Sequence, residues 1–157
     1  MKTADLIDSH AADLTFVHLP FRRFGTRPHF AAQVQTVKCF EDNTEVRAQL
    51  ETPGEGRVLV VDGGGSTRLA LLGDMLADLA IRNGWSGVIL NAALRDSAEI
   101  NRMDTLVFAL GTSPVKSAKD GWGKVGIKVA FGGVAFVPGD WVYGDADGVL
   151  HSPKKLV

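Results

Sequence analysis

The sequence contains a single cysteine, Cys39, and nowhere a long uninterrupted apolar run. One cysteine excludes a disulfide within the chain and any cysteine-based metal cluster built by one chain, and it fits a reducing compartment. The missing apolar run leaves no candidate transmembrane helix. The N-terminal "MKTADLIDSHAADL" has acidic residues throughout and no apolar stretch of signal-peptide length, so a cytoplasmic protein without membrane association is expected. Charge of one sign is also missing: 17 basic against 18 acidic residues give a formal net charge of −1. No overall field then draws the chain to nucleic-acid phosphates or anionic lipid, and no direct nucleic-acid binding is expected. The four histidines, His10, His18, His29 and His151, lack zinc-ligand spacing and a neighbouring cysteine, and read as surface or packing residues.

What is present is an ordinary globular composition, 45% hydrophobic and 22% charged with 18 glycines in 157 residues, which predicts one turn-rich domain over residues 1–157. "TADLIDSHAADL" suggests a short helix through Leu6, Ala11 and Leu14. "HFAAQVQTVKCF" alternates as a strand does, and "EDNTEVRAQLE" follows as a helix with Asn43 as N-cap and Val46 and Leu50 on one face. Residues 57–94 predict a βαβ unit: "RVLVVDGGG" is a buried strand, "GDMLADLAIRNG" a helix with Asp74 at the N-cap and an apolar face of Leu76, Leu79 and Ala80, and "SGVILNAAL" a second strand parallel to the first. "TLVFALG" is a third strand, "TSPVKSAKDGWGKVG" a polar loop, and "IKVAFGGVAFVPGDWVYGDADGVLHS" a series of short strands separated by turns. Many strands and few helices imply an α/β fold with a sheet-on-sheet core and helices on one side.

Several familiar motifs fail. "DGGGSTR" lacks the ending of a phosphate-binding P-loop and misses both the dinucleotide fingerprint and the nucleophile elbow because Arg68 stands where glycine is required. "DADG" at 145–148 resembles the start of a calcium loop, but Gly148 comes too early and no twelfth-position glutamate follows, so a turn is the better reading.

The stretch "GVILNAALRD" is more informative. A helix from Asp74 to Asn83 runs roughly 15 Å away from the first strand's end, and a strand from Gly87 to Leu94 runs roughly 26 Å back. Arg95 and Asp96 therefore arrive near the helix N-terminus, outside the carboxyl ends of parallel strands, where α/β sheets place ligands. The backbone N–H groups of Gly73, Asp74, Met75 and Leu76 would stabilise a carboxylate there, and Arg95 would add a bidentate partner. Asp96 and Asp74, with Glu99 nearby, supply hard oxygen ligands suited to magnesium or manganese. Such a site would polarise a keto oxygen and stabilise an enolate; the alternative is a purely structural ion-pair cluster.

These residues also carry a resemblance. "VLVVDGGGSTRLALLGDMLADLAIRNGWSGVILNAALRD", followed by "ALGTSPVKS" and "FGGVAFVPGDWVYGDADGV" and preceded by "FRRFG" and "KCFEDN", closely resembles the family of the regulator of ribonuclease E activity A and the class II 4-hydroxy-4-methyl-2-oxoglutarate aldolases. The resemblance implies a swivelling β/β/α domain like the phosphohistidine domain of pyruvate-phosphate dikinases, assembled as a homotrimer with sites between subunits. Aldolase members carry an aspartate, twenty intervening residues and Arg-Asp, a spacing met by Asp74 and Arg95-Asp96. Carried over, Asp96 is the ligand of a divalent cation (Mg2+ or Mn2+) otherwise held by water, and Arg95 binds the 2-oxo acid substrate and its enolate. Gly73, Asp74, Met75 and Leu76 hold the substrate carboxylate, and Asp74 orients a water on the metal, with proton transfer open between the two. The implied activity is cleavage of 4-hydroxy-4-methyl-2-oxoglutarate to two pyruvates, with oxaloacetate decarboxylation beside it. The rival is a protein that docks on ribonuclease E and inhibits it. Members acting on that enzyme typically lack the aspartate after the arginine, whereas Asp96 is present here. Dedicated aldolases have a longer C-terminal region that helps form the neighbouring site, whereas this sequence stops at "HSPKKLV". "FRRFG" and "GTSPVKS" stay open between a substrate channel and a solvated or intersubunit face.

Overall fold

The computed structural model, which describes residues 1–157, begins with the expected helix, α1 (Thr3–His10), which buries Thr3 and Leu6. Two short strands follow, β1 (Thr15–Phe16) and β2 (Arg22–Phe24), and then β3 (Phe30–Lys38), whose Phe30, Ala32 and Val34 point inward at period two. Helix α2 (Thr44–Leu50) buries Val46 and Leu50 as their spacing predicts. Its cap differs from expectation: Asn43 occupies the N-cap position but makes no capping bond, and the Asp42 carboxylate accepts the Thr44 N–H at 3.0 Å instead. Asn43 donates its side-chain amide to the Leu71 carbonyl at 3.3 Å.

The predicted strand in "RVLVVDGGG" is β4 (Val58–Asp62), followed by an unanticipated short strand, β5 (Ala70–Leu72). Helix α3 (Asp74–Arg82) starts one residue earlier in its geometry than expected, because Gly73 is the N-cap and Asp74 is already helical. Its buried side chains are Leu76, Ala77 and Ala80, with Leu79 partly buried against the core. The rest of the chain is β6 (Gly87–Asn91), β7 (Ala93–Leu94), the single turn α4 (Ser97–Ile100), β8 (Val107–Ala109), β9 (Gly111–Thr112), β10 (Lys124–Val125), the hairpin β11 (Val129–Phe131) and β12 (Val134–Phe136), and the hairpin β13 (Trp141–Asp145) and β14 (Gly148–Ser152). Asp145 pairs with Gly148 across "DADG", so that segment is the hairpin turn the sequence suggests.

The large sheet has the order β1-β14-β13-β3-β4-β6-β8-β2, with β10 added beside the far end of β3. Its centre, β3-β4-β6-β8, is parallel and its flanks are antiparallel. All five residues of β4 are buried because both faces of the sheet are covered, which explains its unbroken apolar run. Leu59 and Val61 pack with α2, α3 and Ile100 on one face, while Val58 and Val60 pack with Val129, Val134 and Phe136 on the other. This is the helices-on-one-side arrangement expected from the element count. No helix is long and apolar enough to cross a membrane.

The βαβ expectation needs one correction that decides where the site lies. "SGVILNAAL" is not one straight strand: the chain bends at Ala92, β6 stays in the large sheet, and β7 joins a separate three-stranded parallel sheet of order β5-β7-β9. "TLVFALG" bends in the same way at Leu110, whose N–H donates to the Ala92 carbonyl at 2.9 Å. The bend is tightly packed, since a Cβ on Gly63 would stand 2.7 Å from the Ala92 Cβ and 2.8 Å from Leu71 Cδ1. Hydrophobic periodicity does not register such a break because the segment is buried throughout.

Candidate active site

The three strands of the small sheet are parallel neighbours, so the residues leaving their carboxyl ends emerge side by side. Gly73 and the start of α3 leave β5, Arg95-Asp96 leave β7, and Ser113 with the segment behind it leaves β9. They enclose a cleft of about 540 Å³, counting its open mouth, whose walls include Gly73, Asp74, Met75, Leu76, Arg95 and Asp96. Six residues expected at the site, Gly73, Asp74, Met75, Leu76, Arg95 and Asp96, therefore lie in one place. Glu99 does not: it is exposed on α4 and adds only its charge.

Asp96 adopts a left-handed backbone (φ 57°, ψ 39°), unusual for a residue with a side chain and costing about 1–2 kcal/mol. The conformation ends β7 and brings the carboxylate to the start of α3, where Oδ2 accepts the Asp74 N–H at 3.0 Å. One of the four amides expected to face a ligand is thus already taken. Gly73 keeps the space open. Its backbone (φ −127°, ψ −171°) suits any residue, but a Cβ there would stand 2.8 Å from Asp96 Oδ2 and about as near the Arg95 side chain as van der Waals contact allows. Arg95 takes part in none of the chain's ion pairs, and its side chain lies along Gly73.

Asp74 and Asp96 form a like-charged pair. A hydrogen bond with the Asp96 carboxyl, then burial and the Asp96 charge, hold the Asp74 carboxyl above the ordinary carboxylate range, with the Met75 N–H opposing. Either a proton or a cation relieves such a pair. No three His, Cys, Asp or Glu side chains form a ready metal cage. Two carboxylates facing an open cleft are instead the small hard-oxygen set that Mg2+ or Mn2+ accepts while keeping water ligands. The donor set fits such an ion.

The cleft has walls that sequence reasoning did not assign. Asn43 stands at the N-cap position of α2 and Arg47 lies on the helix, while Lys116, Ser117 and Lys119 come from the segment after β9. With Arg95 they make the cleft rich in cations. Of "GTSPVKS", which the sequence leaves open between a substrate channel and a solvated or intersubunit face, Lys116 and Ser117 line the cleft. "FRRFG" falls elsewhere, with Arg22 and Arg23 exposed on the edge strand β2, Arg22 stacking over Phe24 at 5.2 Å. A single Arg or Lys in a polar loop carries no periodic signal, so only the chain's path could place these groups. Cys39 is buried, and burial, then the Asp42 and Asp62 charges, push its thiol up to about 12, which removes it as a nucleophile at neutral pH. Of the histidines, His18 and His29 are exposed, and His151 packs inside against Asp140 at 2.7 Å.

Comparison with known proteins adds to this geometry. A family model named RraA-like and described as Aldolase/RraA matches residues 3–151. A relative from Aromatoleum aromaticum, named as a candidate 4-hydroxy-4-methyl-2-oxoglutarate aldolase, is 51% identical over 156 residues, covering 99% of this chain and 98% of the relative. Among solved structures, a protein from Geobacillus kaustophilus named S-adenosylmethionine:2-dimethylmenaquinone methyltransferase is 51% identical with a TM-score of 0.97, covering 99% of this chain and 97% of that one. The RNA-processing inhibitor RraA from Thermus thermophilis is 41% identical with a TM-score of 0.95, covering 100% of this chain and 95% of that one. The three names describe three different activities on one mixed α/β fold.

Proposed function

Because the chain belongs to the RraA-like family, Aldolase/RraA, we propose that it is a divalent-metal-dependent lyase that cleaves 4-hydroxy-4-methyl-2-oxoglutarate into two pyruvates. The observation that carries the proposal is the convergence of a helix N-terminus, an unpaired Arg95 and the Asp74–Asp96 pair in one cation-rich cleft. The amides of Gly73 and Leu76, joined by that of Met75 once it turns from the Asp74 carboxyl, bind the carboxylate next to the keto group. Arg95 binds the keto oxygen and gains strength as that oxygen becomes anionic. Lys116, Lys119 and Arg47 face the second carboxylate. Asp96, with Asp74 beside it, would hold Mg2+ or Mn2+, which when bound supplies Lewis-acid polarisation of the 2-oxo acid.

Cleavage removes the proton of the C4 hydroxyl, converts C4 to the carbonyl of one pyruvate, and passes the C3–C4 electron pair to the enolate of the other. Protonation of that enolate at C3 completes the second pyruvate. We assign this proton exchange to Asp74, either through its own carboxyl or through a water it orients. Oxaloacetate reaches the same enolate by losing carbon dioxide, so decarboxylation is the expected second activity. The assembly belongs to the same reading: Met75, Val115, Trp122 and Phe40 are exposed apolar side chains on or near the cleft walls, as a homotrimer with sites between subunits would require. So does the layering, which we assign to the swivelling β/β/α domains.

A coupled pyruvate assay on both diacids, with Mg2+ and then with a chelator, tests the proposal. Turnover should need the metal and fall by about a hundredfold or more in Asp96→Asn; metal-independent turnover, or a variant equal to wild type, rejects it. The Thermus relative favours a second reading, inhibition of ribonuclease E by docking. A pull-down against that enzyme tests it separately, because a docking surface should survive Asp96→Asn. The methyltransferase name fits the site less well. Only Ala70, Met75 and Leu76 are apolar among its twelve lining residues, leaving no apolar slot for an adenine ring or a quinone.

A further inference from the structure

Between β3 and α2 lies the link 39–43, three of whose consecutive side chains reach three different parts of the cleft's surroundings. Glu41, itself in a left-handed conformation (φ 54°), accepts the Ser66 hydroxyl at 2.6 Å and both arms of Arg68 at 2.9 and 2.8 Å, tying down the glycine-rich loop. Asn43 holds the carbonyl of Leu71, two residues before Gly73. Asp42 lies between them, almost wholly buried. Its Oδ1 accepts the Thr44 N–H at 3.0 Å and the Thr44 hydroxyl at 2.7 Å, and its Oδ2 accepts the N–H groups of Asp120 at 2.7 Å and Trp122 at 3.3 Å. The Thr44 hydroxyl in turn accepts the Gly121 N–H at 3.2 Å.

These bonds join two walls of the cleft. Thr44 begins the helix that carries Arg47, while Asp120 follows Lys119 directly, and Arg47 and Lys119 both line the cleft. The backbone on the other side of Lys119 is tied to the same link, since Ala118 N–H donates to the Glu41 carbonyl at 2.9 Å and Asn43 N–H to the Ala118 carbonyl at 3.2 Å. Lys119 is therefore clamped at both neighbours. Four donors use up the acceptor sites of the Asp42 carboxylate, so it has no capacity left to ligate a cation or take a proton.

We propose that Asp42 is a positioning residue that latches the basic segment 116–122 to the start of α2 and thereby sets the cation wall that receives the second carboxylate of the substrate. The proposal rests on the lyase reading for its kinetic consequence and on the hydrogen bonds alone for its structural one. Asn at this position is the discriminating change: whichever way its amide turns, the NH2 faces an N–H donor, either that of Thr44 or those of Asp120 and Trp122, so the join between the two walls loses at least one bond. In Asp42→Asn, amide hydrogen exchange across 116–122 should quicken by about tenfold or more, as expected for one lost charge-assisted hydrogen bond, while β4 and β6 exchange as in wild type. KM for the diacid should rise by about the same factor with kcat nearly unchanged, a split that simple loss of folded protein would not produce. If exchange across 116–122 is unchanged, or if it quickens equally in β4 and β6, the latch is wrong. If the exchange result holds but KM does not move, the latch exists and its role in substrate binding is overturned. Should Asp42→Asn fail to fold, Thr44→Val decides, because it removes the hydroxyl from the same network and should produce smaller shifts in the same two measurements; no shift in either rejects the proposal. An inactive wild type rejects the lyase reading and leaves the exchange experiment as the judge of the latch.

Discussion

Gly73, Arg95 and Asp96 do three separate physical jobs within one cleft. Gly73 is required for space, not for backbone freedom, since its φ of −127° is ordinary and the clash of an added Cβ is with Asp96 Oδ2 at 2.8 Å. Gly73→Ala should therefore fold and melt like wild type while losing about a hundredfold in turnover, the scale expected when reacting groups are displaced by an ångström. Circular dichroism melting beside the pyruvate assay checks both halves. In the proposed reaction Arg95 would offer the substrate a planar fork, where a lysine offers a point charge. Arg95→Lys should retain the fold and the net charge yet lower kcat by about a hundredfold or more; near-normal turnover would remove Arg95 from the enolate-binding role. The residue types and their order were legible in the sequence, because Asp74 and Arg95-Asp96 stand at a spacing that a helix and a returning strand bring together. The left-handed turn of Asp96 was not, since nothing in "LRDSAE" demands a positive φ of an aspartate.

At the level of elements, the helices were easier to read than the strands. The faces Val46/Leu50 and Leu76/Ala80 repeat at helical spacing and are buried as expected. The strands β5, β7 and β9 are two or three residues long and have no pattern of their own. The N-terminal helix is held by Leu6 and Ile7, which pack against Leu14, Tyr143 and Leu150, and by a polar clasp in which Asp145 accepts the Thr3 N–H at 2.8 Å and the Thr3 hydroxyl at 2.7 Å. Burial alone would raise the Asp145 carboxyl, but the donors of Thr3 and Asp147 and the Arg23 charge outweigh it and hold the group below its ordinary 3.8. The folded-state value is depressed, so the stabilisation is complete well above pH 3.8 and is lost as the pH falls through and below that value. Proteolysis or hydrogen exchange between pH 6 and 3 should show α1 loosening at acid pH before the central sheet opens, as expected for a peripheral element. Thr3→Ala should loosen α1 already at neutral pH and abolish most of that pH dependence.

For the whole molecule, stability resides in the parallel strands buried on both faces. Leu59 is fully buried beneath α2 and α3, so Leu59→Ala should cost about 2–5 kcal/mol in a denaturant titration. The cleft lies at one end of this core, beside a groove lined by Phe40, Trp122 and Ile127. If that end is the trimer contact, light scattering should give three times the chain mass of 16.8 kDa, and Trp122→Glu should shift the protein toward monomer while leaving its secondary structure intact. A monomeric wild type would remove the intersubunit part of the proposed site. Single-chain composition, with 17 basic and 18 acidic residues, gives no hint of this surface, because an apolar rim averages out in a count.

By itself the sequence determined the class of fold, the βαβ region, the two buried helix faces and the identity of the residues that meet at the helix N-terminus. Those properties follow from local periodicity and from element lengths, which are one-dimensional quantities. Tertiary structure alone decided that β6 and β8 break at Ala92 and Leu110 to feed a second parallel sheet, and that this sheet delivers the glycine-capped helix, Arg95-Asp96 and the basic segment to one level. It also decided which cations face the cleft: Arg47, Lys116 and Lys119 line it, while Arg22 and Arg23 lie on a sheet edge. The physical reason is that an exposed charged side chain has no preferred partner until the backbone's hydrogen bonds, for Arg47 and Lys119 those gathered by Glu41, Asp42 and Asn43, fix the path of the chain around it.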